Sequence, residues 1–165
     1  MPSTKNDPLT PAEALNRLMD RCSAAEVCSG EAMEKLRTWG IGDHDAVKIV
    51  QRLTDLRFID DERYARAYVR SKINGSRWGR IKVRAAMRLK RLDAETIDTA
   101  LAEEIDEQTY IENLAAALRA KARTMPTRLT PAHKAKLMRF AAGRGYEPSL
   151  IAEMLPEESF WRTDP

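Results

Sequence analysis

The side chains best suited to metal or nucleophilic chemistry are two histidines, His44 and His133, and two cysteines, Cys22 and Cys28. Their spacing serves neither use. Zinc sites draw on close Cys/His pairs with a second pair elsewhere, and here the cysteines are too far apart for one pair and nothing supplies the other. The histidines are isolated. The chain has no His-Glu-x-x-His pair, no phosphate-cradling glycine loop and no Gly-x-Ser-x-Gly turn, so hydrolysis, metal catalysis and nucleotide binding lack their usual parts. Asp60 and Asp61 stand just before a helical stretch, where carboxylates cap exposed N–H groups and meet the positive end of the helix dipole. The expectation is a protein that is not an enzyme and that holds no metal or cofactor.

Charge placement carries more information than the formal net charge of +3. Between Arg70 and Leu92 the chain places Arg70, Lys72, Arg77, Arg80, Lys82, Arg84, Arg88, Lys90 and Arg91 without one Asp or Glu. If Val83 and Met87 face the core, then Arg80, Arg84, Arg88 and Arg91 fall on neighbouring outward turns as a ridge. Such a ridge suits a phosphate backbone or an acidic protein groove. An acidic run follows, with Asp93, Glu95, Asp98, Glu103, Glu104, Asp106, Glu107 and Glu112, and then a second basic run from Arg119 to Arg144. The bland alternative is that the first two blocks pair across helices, where exposed ion pairs contribute only about 0–1 kcal/mol each. Trp78, inside the first block, is either a half-buried residue at a helix start or a surface on which an unpaired base stacks.

The elements that must carry these residues are helical. Thr10-Pro11-Ala12-Glu13 reads as a capping box with proline at the first helical position, opening a helix to about Cys22 with Leu15 and Leu18 as its apolar stripe. Ser23 or Ser29 is expected to cap a second helix with Ala32, Leu36 and Trp39. Gly40 stands where a helix ends in the left-handed conformation. Asp43 or Asp45 opens a third, with Ala46, Val47, Val50 and Leu53 at helical spacing. Asp60 or Asp61, Gly79 and Asp93 begin the next three, with Tyr64 and Tyr68 expected to pack the core. Asp106, Thr130-Pro131 and Glu147-Pro148 begin the last three.

Shifts of about 51 and about 54 residues superimpose these triplets. Ala32, Val83 and Leu137 then share a column, as do Leu36, Met87 and Ala141. Gly40-Ile41, Arg91-Leu92 and Gly145-Tyr146 follow, then Ala46, Ile97 and Ile151, then Val50, Leu101 and Leu155. The sequence therefore predicts an all-α protein of about nine helices in three tandem three-helix repeats. Their expected spans are 10–58, 59–105 and 106–156, between a flexible N-terminus (1–9) and a C-terminal tail (157–165).

Composition agrees with a folded, soluble chain: 43% of its 165 residues are hydrophobic and 32% charged, too apolar for wholesale disorder. The opening MPSTKNDPLTP has no apolar stretch suited to a signal peptide, and no run is long enough to span a bilayer. Two cysteines are too few to staple a secreted scaffold. The cytoplasm, with no membrane partner, is the expected location.

The middle of the chain is specific. Phe58-Ile59-Asp60-Asp61-Glu62-Arg63-Tyr64-Ala65, then Tyr68-Val69-Arg70-Ser71-Lys72, resembles the most recognisable stretch of the RecX family. Gly79 through Leu92 is similar to that family's glycine, basic pair, aliphatic and leucine spacing, with Arg91 in place of its helix-ending glycine and Ala86 where an acid is frequent. The resemblance is closest over about residues 56–102 and looser in the flanking repeats. It implies a curved, elongated array of three-helix repeats that contacts the RecA filament and restrains the recombinase without catalysis of its own. Single- or double-stranded DNA is a further expected partner, and the chain is expected to act as a monomer. Two other readings stay open: a regulator that binds DNA directly, since three-helix units can place a helix in the major groove, and a generic helical adaptor with complementary charged faces.

Overall fold

A computed structural model describes residues 7–155. The C-terminal tail expected over 157–165, and most of the flexible N-terminus expected over 1–9, lie outside the described residues. Nine α-helices and no strand occur among the described residues: α1 (Pro11–Ala24), α2 (Ser29–Thr38), α3 (Asp43–Asp55), α4 (Asp61–Arg70), α5 (Arg80–Leu89), α6 (Ala94–Glu104), α7 (Glu107–Ala122), α8 (Pro131–Gly143) and α9 (Pro148–Met154). A π-helical turn, Ser71–Gly75, continues α4. Nothing in the sequence announced it.

The caps explain most of the boundaries. Thr10 accepts the N–H of Glu13 and Glu13 returns a bond to the Thr10 N–H, completing the expected box. Asp106 accepts the N–H of Thr109, Asp93 that of Thr96 and Asp60 that of Arg63. Thr130 is capped reciprocally by His133, which gives that histidine a structural task. Ser23 and Ser29 do not serve as caps. Ser23 lies inside α1 and bonds back to Met19 O, while Ser29 is the first residue of α2 and gives both its N–H and its hydroxyl to Asp61.

Helix ends follow the column seen in the sequence. Gly40 (φ 80°), Arg91 (φ 62°) and Gly145 (φ 96°) all adopt the left-handed conformation, so Arg91 occupies a glycine's backbone state. At the first and third, the following N–H reaches back to the last turn: Ile41 to Leu36 O at 3.0 Å and Tyr146 to Ala141 O at 3.2 Å. These bonds satisfy carbonyls that the helix leaves open and turn Ile41 and Tyr146 inward.

Two compact units divide the chain: Met1–Ala65 with Arg88–Thr96, and Arg66–Met87 with Ile97–Pro165. In the first, α1 and α2 pack on α3 around Ala14, Leu18, Ala32, Leu36, Ala46, Ile49 and Leu53. Val47, expected on that apolar stripe, is 58% exposed; Ile49 takes the inward position because Ala46, Ile49 and Leu53 recur every three to four residues, about one helical turn apart. In the second, α7 packs on α8 and on the π turn, and α8 on α9. Val83, Met87, Leu114, Leu118, Leu137 and Ala141 are fully buried there. Tyr64 is buried as expected, and Tyr68 half-buried.

Candidate functional site

The basic block between Arg70 and Leu92 resolves into two populations. Four of its cations hold carboxylates: Arg70 with Glu104 at 2.9 Å, Arg80 with both Glu107 and Glu147, Arg84 with Asp98, and Lys90 with Glu31. For Arg70, Arg80 and Arg84 the basic and acidic blocks do pair across helices, whereas the partner of Lys90, Glu31, lies outside the acidic run. Among the described residues, Lys72, Arg77, Lys82, Arg88 and Arg91 have no carboxylate within ion-pair distance. Arg77, Lys82, Arg88 and Arg91 are exposed; Lys72 is half-buried. Two apolar side chains on α5 also face water, Ile81 at 49% and Leu89 at 86% exposure.

Arg80 is structural for a geometric reason. Its guanidinium lies 4.1 Å above the Tyr110 ring and bonds Glu147 Oε1 at 3.1 Å, while its backbone N–H donates to Tyr110 Oη at 3.0 Å. Tyr110 in turn donates to Glu147 Oε2 at 2.6 Å. Burial works against the guanidinium charge, but the hydrogen bonds it donates to Glu147 and Glu107 outweigh it and hold the pKa above the ordinary arginine value. Burial, reinforced by Glu147, pushes the Tyr110 phenol well above its usual range. The guanidinium is held by the ring and both carboxylates and stays charged at any physiological pH.

A second joint of the same design occurs in the other unit. Asp61 opens α4 and binds the start of α2, as Glu107 opens α7 and binds Arg80 at the start of α5. One turn on, Tyr64 donates to Glu31 Oε1 at 3.1 Å in the place that Tyr110 fills. Each joint is sealed by a close backbone approach. A Cβ built on Gly30 would lie 1.9 Å from Lys90 O, and one on Gly79 would lie 2.1 Å from Gly145 C, so both positions demand glycine. Sequence reasoning missed these joints, although the acid-then-tyrosine pattern at the start of α4 and α7 was a readable signal.

Around Trp78 the geometry is different. Lys72 Nζ lies 4.7 Å and Lys82 Nζ 4.2 Å from its ring centroid, with Lys72 also 5.5 Å from the Tyr68 ring. The loop that carries Trp78 is pinned at every residue. Ser76 O accepts from the Arg144 guanidinium at 3.0 Å, Arg77 O from Tyr146 Oη at 3.0 Å, the Trp78 N–H donates to Lys72 O at 2.8 Å and the Gly79 N–H to Arg144 O at 2.8 Å.

Elsewhere the described residues contain no cluster of three or more His, Cys, Asp or Glu arranged to hold a metal ion. The Cys22 and Cys28 thiols are free and lie above the ordinary thiol pKa, chiefly through burial. Thiols held protonated are poor nucleophiles. No helix among the described residues is long and apolar enough to cross a membrane.

Nine helices among the described residues, in repeating triplets with a duplicated tyrosine-carboxylate contact, define a tandem three-helix-repeat protein. The family models for the second and third three-helix domains of RecX match residues 60–101 and 108–155. The chain belongs to the RecX family of regulatory proteins. It is 36% identical over 122 residues to the regulatory protein RecX of Xanthomonas axonopodis pv. citri, covering 73% of this chain and 72% of that one. With the Mycolicibacterium smegmatis protein of the same name it shares 27% identity over 92% of this chain and 83% of the relative. A match to the Clostridium acetobutylicum regulatory protein RecX, 29% identical, spans 77% of this chain but only 60% of that relative. The crystal structure of RecX from Lactobacillus salivarius has the same fold, with a TM-score of 0.79 at 22% identity over 90% of this chain and 96% of that one.

Proposed function

We propose that this protein is a non-catalytic regulator of recombination and DNA repair, working in the cytoplasm as a monomer, that binds the RecA nucleoprotein filament and lowers RecA activity. The filament offers two kinds of anionic surface, the acidic side chains of RecA and the phosphates of single- or double-stranded DNA. The observation that carries the reading is the sorting of the basic block: Arg77, Lys82, Arg88 and Arg91 are exposed and without a carboxylate among the described residues, and Ile81 and Leu89 are exposed as well. Cations left unneutralised steer anionic partners, and exposed branched apolar residues gain from burial against protein. All six residues lie in the second of the three repeats, 59–105, with the first over 10–58 and the third over 106–156. The action would be occupancy: blocking subunit addition or stiffening the filament.

Binding to RecA filaments, to free single strands and to duplex DNA at two salt concentrations tests this. Affinity for filaments well above that for either bare DNA supports it. Sequence-selective duplex binding would replace it with a direct DNA-binding regulator, and no binding to any of the three would leave a helical adaptor for another protein.

A further inference from the structure

The geometry points to Trp78, with Lys72 and Lys82, as a docking point for unpaired nucleic acid, at which a base stacks on the indole and the two ammonium groups take the flanking phosphates. This rests on DNA being one of the partners proposed above and names the strand form and the residues. Three observations carry it. The first is electrostatic: two ammonium groups stand within 5 Å of one ring, and no described carboxylate neutralises either. Lys82 is exposed and Trp78 and Lys72 are half-buried, and ring quadrupole attraction holds an ammonium group only modestly, so a phosphate can draw them off the ring and uncover its accessible face.

Rigidity is the second. With Ser76, Arg77, Trp78 and Gly79 each tied by a backbone hydrogen bond, the loop that carries the indole has its main chain already ordered, and Arg77 adds an exposed cation on the same loop. Third, Lys72 sits on the π turn, a rare wide turn that is frequent at functional sites. Here the Asn113 amide donates to Ile73 O at 3.3 Å, supporting a carbonyl of the turn. An aromatic platform among cations is the arrangement that binds single strands with little sequence preference; a duplex keeps its base faces stacked away from such a ring.

The test uses the full chain with Trp39→Phe and Trp161→Phe, leaving Trp78 as its only tryptophan. Titration with a thymidylate oligomer of about 15 nucleotides should quench Trp78 emission, whereas a blunt duplex and inorganic polyphosphate should not. With a labelled oligomer, Trp78→Ala should weaken binding about tenfold or more and Trp78→Tyr far less. Lys72→Gln with Lys82→Gln should make the slope of log affinity against log salt shallower by about 0.7 for each phosphate that the two lysines neutralise. The tyrosine and glutamine variants keep the test alive if the alanine variant melts early. Quenching by polyphosphate as strong as by the oligomer, duplex binding as tight as single-strand binding, or a glutamine pair that binds like the parent would each overturn the inference. RecA filaments assayed in parallel separate the two readings: a parent that binds filaments but no free strand refutes the Trp78 site alone, and one that binds free strands but no filament refutes the filament reading alone.

Discussion

Tyr110 bridges Arg80 and Glu147, accepting the arginine's backbone N–H at 3.0 Å and donating to the carboxylate at 2.6 Å. That bond fixes the start of α5 against α7 and the start of α9. It also changes the meaning of the basic ridge, because the cation at its head is already spent on the fold. Arg80→Ala is therefore expected to lower stability by about 1–3 kcal/mol, leaving the half-buried Glu147 without its guanidinium and the buried Tyr110 ring without the cation over it. Arg88→Ala, at an exposed position, should stay within about 0.5 kcal/mol of the parent. Urea denaturation midpoints of the two variants measure the difference; equal midpoints would contradict the structural assignment of Arg80.

Close approach of backbone at the two joints makes a second expectation. Gly79→Ala would set a methyl 2.1 Å from Gly145 C, and Gly30→Ala 1.9 Å from Lys90 O, with main chain on the other side in both cases. Neither neighbour can swing away as a side chain would, so each variant should lose about 1–3 kcal/mol or more. Gly75→Ala, with nothing within 4 Å of its Cβ position, is the matched control and should melt near the parent.

Arg91 was legible and Arg80 was not, and the contrast shows what sequence patterns contain. The state of Arg91 follows from a column: it aligns with Gly40 and Gly145, and a helix end imposes the same backbone conformation whatever side chain occupies it. Caps such as Thr10 and Asp106 were readable for the same reason, since each acts on a residue three positions away. The role of Arg80 depends on Glu107 and Glu147, which are 27 and 67 residues distant, and helical periodicity says only that the arginine points off the Val83–Met87 face. Ser29 has the look of a cap in the sequence, but Asp61, 32 residues on, takes its hydroxyl instead. The π turn had no signal, since Ser71–Gly75 contains nothing that selects a wider turn over an ordinary helical one.

The left-handed state of Arg91 has a measurable cost. A Cβ at φ 62° is strained where glycine is not, so Arg91→Gly should raise stability by up to about 1 kcal/mol. Arg57, at φ 61° after α3, should respond in the same direction. A fall in melting temperature for Arg91→Gly would mean that its side-chain contacts outweigh the backbone strain.

Alkaline pH should loosen both joints. Burial pushes the Tyr64 phenol up to about 12, and burial also raises Tyr110 and Tyr146 above the usual tyrosine value. The folded state holds these protons more tightly than the unfolded chain, so their contribution to stability is complete below about pH 10 and is lost as pH rises toward and past about 12. Lys90, raised first by its hydrogen bond to Glu31, acts with the same sign. Tyrosinate absorbance followed together with urea midpoints between neutral and strongly alkaline pH should show stability falling as the phenols ionise. Ionisation at the ordinary tyrosine pKa with the fold unchanged would contradict the burial of Tyr64 and Tyr110.

The exposed end of the basic block gives the functional counterpart. Arg88 and Arg91 are the ridge members that hold no carboxylate among the described residues, so Arg88→Ala combined with Arg91→Gly removes two charges without breaking an ion pair. Alanine favours the helix at the first position and glycine relieves the turn at the second, and the double variant should be at least as stable as the parent. Its binding to RecA filaments should weaken. If the two arginines meet DNA phosphates, the slope of log affinity against log salt should become shallower by about 0.7–0.9 per phosphate, with bare DNA affected as well. If they meet acidic side chains of RecA, bare DNA binding should not change, and Leu89→Asp, which places a charge on the neighbouring apolar surface, should weaken filament binding further. A double variant that binds and restrains RecA filaments like the parent would show that this end of the ridge is only a solvated face. The partner surface would then have to be sought in the second basic run, from Arg119 to Arg144.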